Sequence, residues 1–157
     1  MNNNAHLCVK IKNRGRMMSR SELREHIFRM LFRIEFNNVE EMKEQEALYF
    51  ELLGEISEEN KAYILSKYAA VTEKQDEIDA ILNEMSEGWK TSRMNRVDLT
   101  ILRLATYEMM YTSTPKQIVI NEAIDITGDY VDTEDFPAKK FNNRVLDNIK
   151  ESLNGRQ

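Results

Sequence analysis

The stretch SRMNRVDLTILRLATYEMMY, residues 92–111, decides the fold. Drawn as a helix, it carries apolar residues on most sides: Met94, Val97, Leu99, Ile101, Leu102, Leu104, Ala105, Tyr107, Met109 and Met110. A helix that is apolar nearly all round belongs in an interior. Other amphipathic helices must therefore cover it. Gly88 and Trp89 mark a break before it. Thr114-Pro115-Lys116-Gln117 follows it as a start signal, combining a T-x-x-Q capping pattern with Pro at the first helical position. The next helix runs through Ile120, Ala123, Ile124 and Thr127. Asp132 to Asp135 read as an acidic loop, and Pro137 restarts the chain. Phe141, Val145, Ile149 and Leu153 then recur every fourth residue, with Leu146 alongside, until Asn154-Gly155.

Upstream, Ser19 and Glu22 form an S-x-x-E capping box. Leu23, Ile27, Met30, Leu31 and Ile34 follow at helical spacing, with Phe28 and Phe32 beside them. That helix ends near Asn37-Asn38. A second runs from about Met42 to Leu53, closed by Gly54. A third begins after Ser57. Thr72 and Gln75 either cap a new helix or lie within one long one; both readings stand. No segment alternates as a strand with hairpin turns, and no internal repeat has a fixed period. The pattern predicts an all-α compact bundle of about seven helices.

The chain has 157 residues, enough for one domain with a real core. Residues 1–17 read as a disordered N-terminal extension and 18–157 as the helical domain, with Met17 or Met18 as an alternative start. The opening segment lacks the apolar run of an export signal. No apolar stretch is long enough to span a membrane, so a cytoplasmic location is expected. One Cys excludes a disulfide framework, and two His (His6 and His26) argue against a His-rich metal site. No Gly-rich phosphate loop, HExxH or CxxC is present. The expectation is therefore no catalytic residue, no metal site and no cofactor.

The net charge of −5 is unevenly spread. Residues 1–36 carry eight Lys/Arg against three Glu, residues 37–89 four Lys against fourteen acids, and residues 90–157 ten against ten. A basic opening on an acidic body suggests a local anion-binding face. Arg20 and Arg24, beside Phe28 and Phe32, offer planar bidentate contacts to phosphate and rings that can stack a base. Single-stranded RNA is the natural target of that mixture. The competing reading makes Phe28 and Phe32 core residues. Asp98, Arg103, Glu108, Asn121 and Glu122, on otherwise apolar helices, read either as internal salt bridges and caps or as a protein-binding face.

Three blocks carry a resemblance: WKTSRMNRVDLTILRLATYEMMY (residues 89–111), PKQIVINEAIDIT (115–127) and FNNRVLDNI (141–149). Together with the Arg-bearing first helix, they resemble the NusB family of bacterial transcription antitermination factors over about residues 18–153. The matched positions include Trp89, Arg93, Asp98, Ile101-Leu102-Arg103, Tyr107-Glu108, Ile120-Asn121-Glu122-Ala123 and Val145-Leu146-Asp147. The resemblance implies two perpendicular three-helix subdomains and no catalysis. It implies binding of boxA-type single-stranded RNA of ribosomal RNA operons, together with the ribosomal protein NusE. The pair would act on the RNA polymerase antitermination complex and promote processive ribosomal RNA transcription. A homodimer is a further possible state. By position, Arg20, Arg24, Phe32 and Phe141 match RNA-side residues, Lys140 and Arg144 are assigned to the same side, and Asp98 matches an acidic position turned toward NusE.

Two departures stand out. Where the family reads F-V-N-G-V-L-D, Asn142 replaces an apolar residue and Arg144 a Gly. Where it reads A-K-K-Y, this chain has Thr127-Gly128-Asp129-Tyr130, with two fewer Lys to attract phosphate. These changes keep two alternatives in view: a helical adaptor or homodimer with weak or no RNA binding, and an accessory module for ribosomal RNA modification.

Overall fold

The computed structural model describes residues 17–135 and 137–156. Residues 1–16 of the expected extension lie outside the described residues. Seven α-helices occur among the described residues: α1 (Arg20–Arg33), α2 (Val39–Leu53), α3 (Glu58–Glu73), α4 (Gln75–Met85), α5 (Arg96–Tyr111), α6 (Lys116–Tyr130) and α7 (Ala138–Gly155). Short 3-10 turns cover Ile34–Phe36 and Thr91–Arg93. The described residues contain no strand, so the all-α class holds. No described helix is long and apolar enough to cross a membrane.

The chain divides at Tyr68 and Ala69 into two units. The first holds α1, α2 and most of α3. In the second, α5, α6 and α7 pack mutually, and α4 packs on α5 and α7. The first unit has the three helices that the resemblance implies, and the second gathers four.

Helix starts follow local chemistry. The Ser19 hydroxyl accepts from the Glu22 amide at 3.1 Å, and the Glu22 carboxylate accepts from the Ser19 amide at 3.2 Å. A second reciprocal box opens α2: Asn38 Oδ1 accepts from the Glu41 amide at 2.9 Å, and Glu41 Oε2 from the Asn38 amide at 2.7 Å. This box moves the start of α2 three residues ahead of the Met42 that apolar spacing suggests. Ser57 caps α3 through the Asn60 amide at 3.1 Å. The ambiguity around Thr72 and Gln75 resolves into two helices broken at Lys74, whose backbone (φ −96°, ψ 9°) leaves the helical path. The T-x-x-Q box at Thr114 does not form. Pro115 stands ahead of α6 with no side-chain cap, and Gln117 instead donates to Asn121 Oδ1 at 3.0 Å.

The second unit's core contains Leu99, Leu102, Ile120, Leu146 and Ile149, all essentially inaccessible. The predicted interior placement of residues 92–111 holds for residues 98–109, whereas Arg93, Asn95, Arg96 and Tyr111 are exposed and the helix begins only at Arg96. Its one mid-helix cation, Arg103, is met by Asp79 of α4 in a two-pronged ion pair, with both N–H···O distances 2.8 Å. That is the internal salt bridge that one sequence reading offered. On α7 the buried line is Ala138, Asn142, Val145, Leu146 and Ile149. Phe141 and Leu153, expected in the stripe, sit half-buried at its flank.

Candidate nucleic-acid interface

In the first unit the candidate residues lie on α1. Arg20, next to the Ser19 cap, is exposed. Arg24 is only 7% exposed, so it is not the surface arginine that its sequence context suggests. At that burial its charged head as well as its stem is out of water, so removing it would cost structure as well as charge. Arg29 is ion-paired to Glu25 at 3.0 Å. Arg33 donates to the Arg29 carbonyl at 2.8 Å, and its guanidinium lies 4.7 Å from the Tyr49 ring centre. The Tyr49 hydroxyl hydrogen-bonds His26 Nδ1, and burial pushes that phenol's pKa upward. Arg29 and Arg33 are thus held in internal contacts, and Arg20 is the clearest exposed cation on this helix.

Phe28 is buried, as the competing reading had it, while Phe32 is half-buried. The two rings stack at 6.2 Å, and Phe32 meets Phe36 edge-to-face at 5.0 Å. Phe36 is exposed, so this aromatic file runs from core to surface.

In the second unit the candidates lie on α7. Lys140 and Arg144 are exposed and flank half-buried Phe141. Arg144 reaches Glu87 at 3.7 Å. An Arg at this family Gly position is accommodated because the position faces solvent. Beside Phe141 stands Trp89, which in the sequence marks a helix break and a family position but is not among the expected site residues. The ring centres are 6.2 Å apart, in an edge-to-face pair. A large aromatic next to Lys90 and Arg93 was the available signal.

Asp98 differs from the other candidates. It lies in the first turn of α5, 2% exposed. Asn142 Nδ2 donates to its Oδ1 at 3.1 Å and to Thr127 Oγ1 at 3.1 Å, and Thr127 in turn donates to the Ala123 carbonyl at 2.8 Å. Asn142 at a family apolar position is therefore the inner partner of a buried carboxylate. Burial raises the Asp98 pKa above the ordinary carboxylate value, with the Asn142 hydrogen bond opposing and the Asp132 charge adding to the rise. Among the described residues, Asn142 Oδ1 is buried without a hydrogen-bond partner. Among the described residues no group of three or more His, Cys, Asp or Glu is placed to hold a metal ion.

The model of the NusB family matches residues 21–151. The transcription antitermination protein NusB of Lachnoclostridium phytofermentans is 46% identical over 114 residues, covering 72% of this chain and 86% of that protein. Among solved structures, T. maritima NusB is similar with a TM-score of 0.71 at 28% identity, over 87% of this chain and 93% of that one. A crystal structure of antitermination factors NusB and NusE in complex with double-stranded RNA gives a TM-score of 0.68 at 22% identity, over 85% and 96% of the two chains. At that last identity the likeness concerns the fold alone.

Proposed function

The chain belongs to the NusB family, and from this premise we propose that it is a transcription antitermination factor that binds boxA-type RNA together with NusE. The heterodimer joins the RNA polymerase antitermination complex and keeps ribosomal RNA transcription processive. The observation that carries the reading is the basic and aromatic set on α7, where exposed Lys140 and Arg144 stand beside half-buried Phe141. On the first unit, Arg20 of α1 is a separate exposed cation, with Arg24 buried and Phe32 half-buried on the same helix. Cations of this kind hold phosphates, and a ring beside them takes an unstacked base. Asp98 serves the NusE side indirectly, by tying the first turn of α5 to Asn142 of α7, since a buried carboxylate does not reach a partner directly.

A gel shift with boxA-type single-stranded RNA, with and without NusE, tests the proposal. Weak binding alone that strengthens with NusE is expected. RNA affinity that is absent in both conditions overturns it. Arg20→Ala is the clean electrostatic probe because its side chain is exposed. It is expected to weaken binding several-fold and to lower the slope of log affinity against log salt by about 0.7, the single-strand value per phosphate contact. Unfolding free energy should stay within about 0.5 kcal/mol, as for surface substitutions generally. Sizing the protein alone and with NusE reads out self-association and partner binding together.

A further inference from the structure

We infer that Trp89 is a stacking residue of the RNA surface, its indole taking an unpaired base beside the nearly perpendicular Phe141 ring. The inference rests on the RNA-binding reading above and adds a contact residue to it.

Trp89 is 53% exposed, although its ring already meets Phe141. Indole is a large apolar surface to leave in water. It is presented by a loop that is held in place. Glu87 and Gly88 both have positive φ, 51° and 92°, a region that a non-glycine residue such as Glu87 enters at a cost. Several bonds fix this turn. The Ser86 hydroxyl donates to the Trp89 carbonyl, and the Trp89 amide donates to the Ser86 carbonyl at 3.2 Å. Asn148 Nδ2 on α7 donates to the Met85 carbonyl at 3.2 Å and to Glu87 Oε1 at 3.4 Å. The Thr91 amide donates to Asn83 Oδ1 at 2.8 Å. Much of the ordering that a stacking contact requires is therefore in place before a ligand arrives.

Charge selects the occupant. Lys90 and Arg93 follow Trp89, and Lys140 and Arg144 flank Phe141; all four are exposed. The nearby acid Glu87 is ion-paired with Arg144. Cations around an open indole suit a strand whose phosphates meet the cations while a base lies on that ring. A duplex keeps its bases stacked on one another, so the occupant is an unpaired nucleotide.

Trp89 is the chain's one tryptophan, so its fluorescence reports this position alone. The full chain is titrated with boxA-type single-stranded RNA carrying a label, whose anisotropy gives the affinity independently. Quenching of Trp89 in step with RNA binding is expected. Trp89→Ala should lose about 5- to 150-fold in affinity, the fold-change equivalent of about 1–3 kcal/mol per stacked base. Trp89→Phe keeps a ring and should stay within about three-fold of wild type; it also supplies the fluorescence blank. RNA bound with unchanged Trp89 emission overturns the inference, as does Trp89→Ala binding as tightly as wild type. Equal quenching by the same RNA fully paired also overturns it. In each of those cases the RNA reading survives. Failure of the wild-type chain to bind RNA by anisotropy, with NusE present, removes that reading and this one together. Wild-type quenching and Trp89→Phe decide the matter even if Trp89→Ala fails to fold.

Discussion

Asn142→Asp is expected to lower the unfolding free energy by about 3–5 kcal/mol at neutral pH, the scale on which a buried charge is left without a counter-charge. Asn142 is wholly inaccessible, and its amide donates to a buried carboxylate oxygen on α5. The substitution removes the donor and places a second anion where the amide stood. The sign of the pH dependence follows from Asp98. Its folded pKa is raised, chiefly by burial, above the ordinary value of 3.8. On acidification the folded state therefore takes up this proton before the unfolded state does. Its favourable contribution is fully present below 3.8 and is lost as pH rises through the raised folded value.

A second carboxylate at position 142 pushes the shared site higher still. The deficit of Asn142→Asp should accordingly shrink as pH falls from neutrality toward the ordinary carboxylate range, where one proton is shared between the two oxygens. Urea denaturation of both proteins at neutral and mildly acidic pH measures this. A deficit that is the same at both pH values would show that the two side chains do not titrate as one buried site.

Ile149→Ala is expected to cost about 2–5 kcal/mol, the range for truncating a fully buried aliphatic side chain. Ile149 is inaccessible on α7, the helix that packs against α4, α5 and α6. Truncation removes transfer free energy and leaves a void that those helices close only in part. Leu153, one turn further on and half-buried, is the internal control. Leu153→Ala should cost clearly less, because water already reaches part of the side chain. The apolar spacing on α7 ranks the two positions equally, whereas the structure separates them. Denaturation midpoints of the two variants decide between these rankings, and equal losses would contradict the observed register.

That contrast shows where reading residues in order stops being sufficient. Phe141, Val145, Ile149 and Leu153 make a stripe on paper, but the inward face is centred one residue over. There Ala138, Asn142 and Leu146 are buried. Hydropathy cannot place Asn142 inside, since an amide is polar wherever it is written. Only the Asp98 and Thr127 oxygens that receive its hydrogen bonds make its burial tolerable. Arg24 is misplaced for the same reason. A guanidinium suggests surface, yet the whole Arg24 side chain is nearly inaccessible, a placement that depends on what the packed helices bring around it. The start of α2 is encoded in the Asn38–Glu41 box, whereas apolar spacing begins the helix at Met42 and does not anticipate an exposed Val39.

What the order of residues determined alone is local or compositional. The Ser19–Glu22 cap, the absence of strand alternation, the interior character of residues 92–111 and the family blocks all depend on neighbours a few positions apart, where spacing governs geometry. What only tertiary structure decided depends on residues distant in the chain. Asp98 needed Asn142, Arg103 needed Asp79, and Trp89 needed Phe141 before burial, pairing or stacking had meaning. The free energy of a polar or aromatic group depends on what it meets, and the partner is chosen by the packing of helices rather than by the sequence around the group.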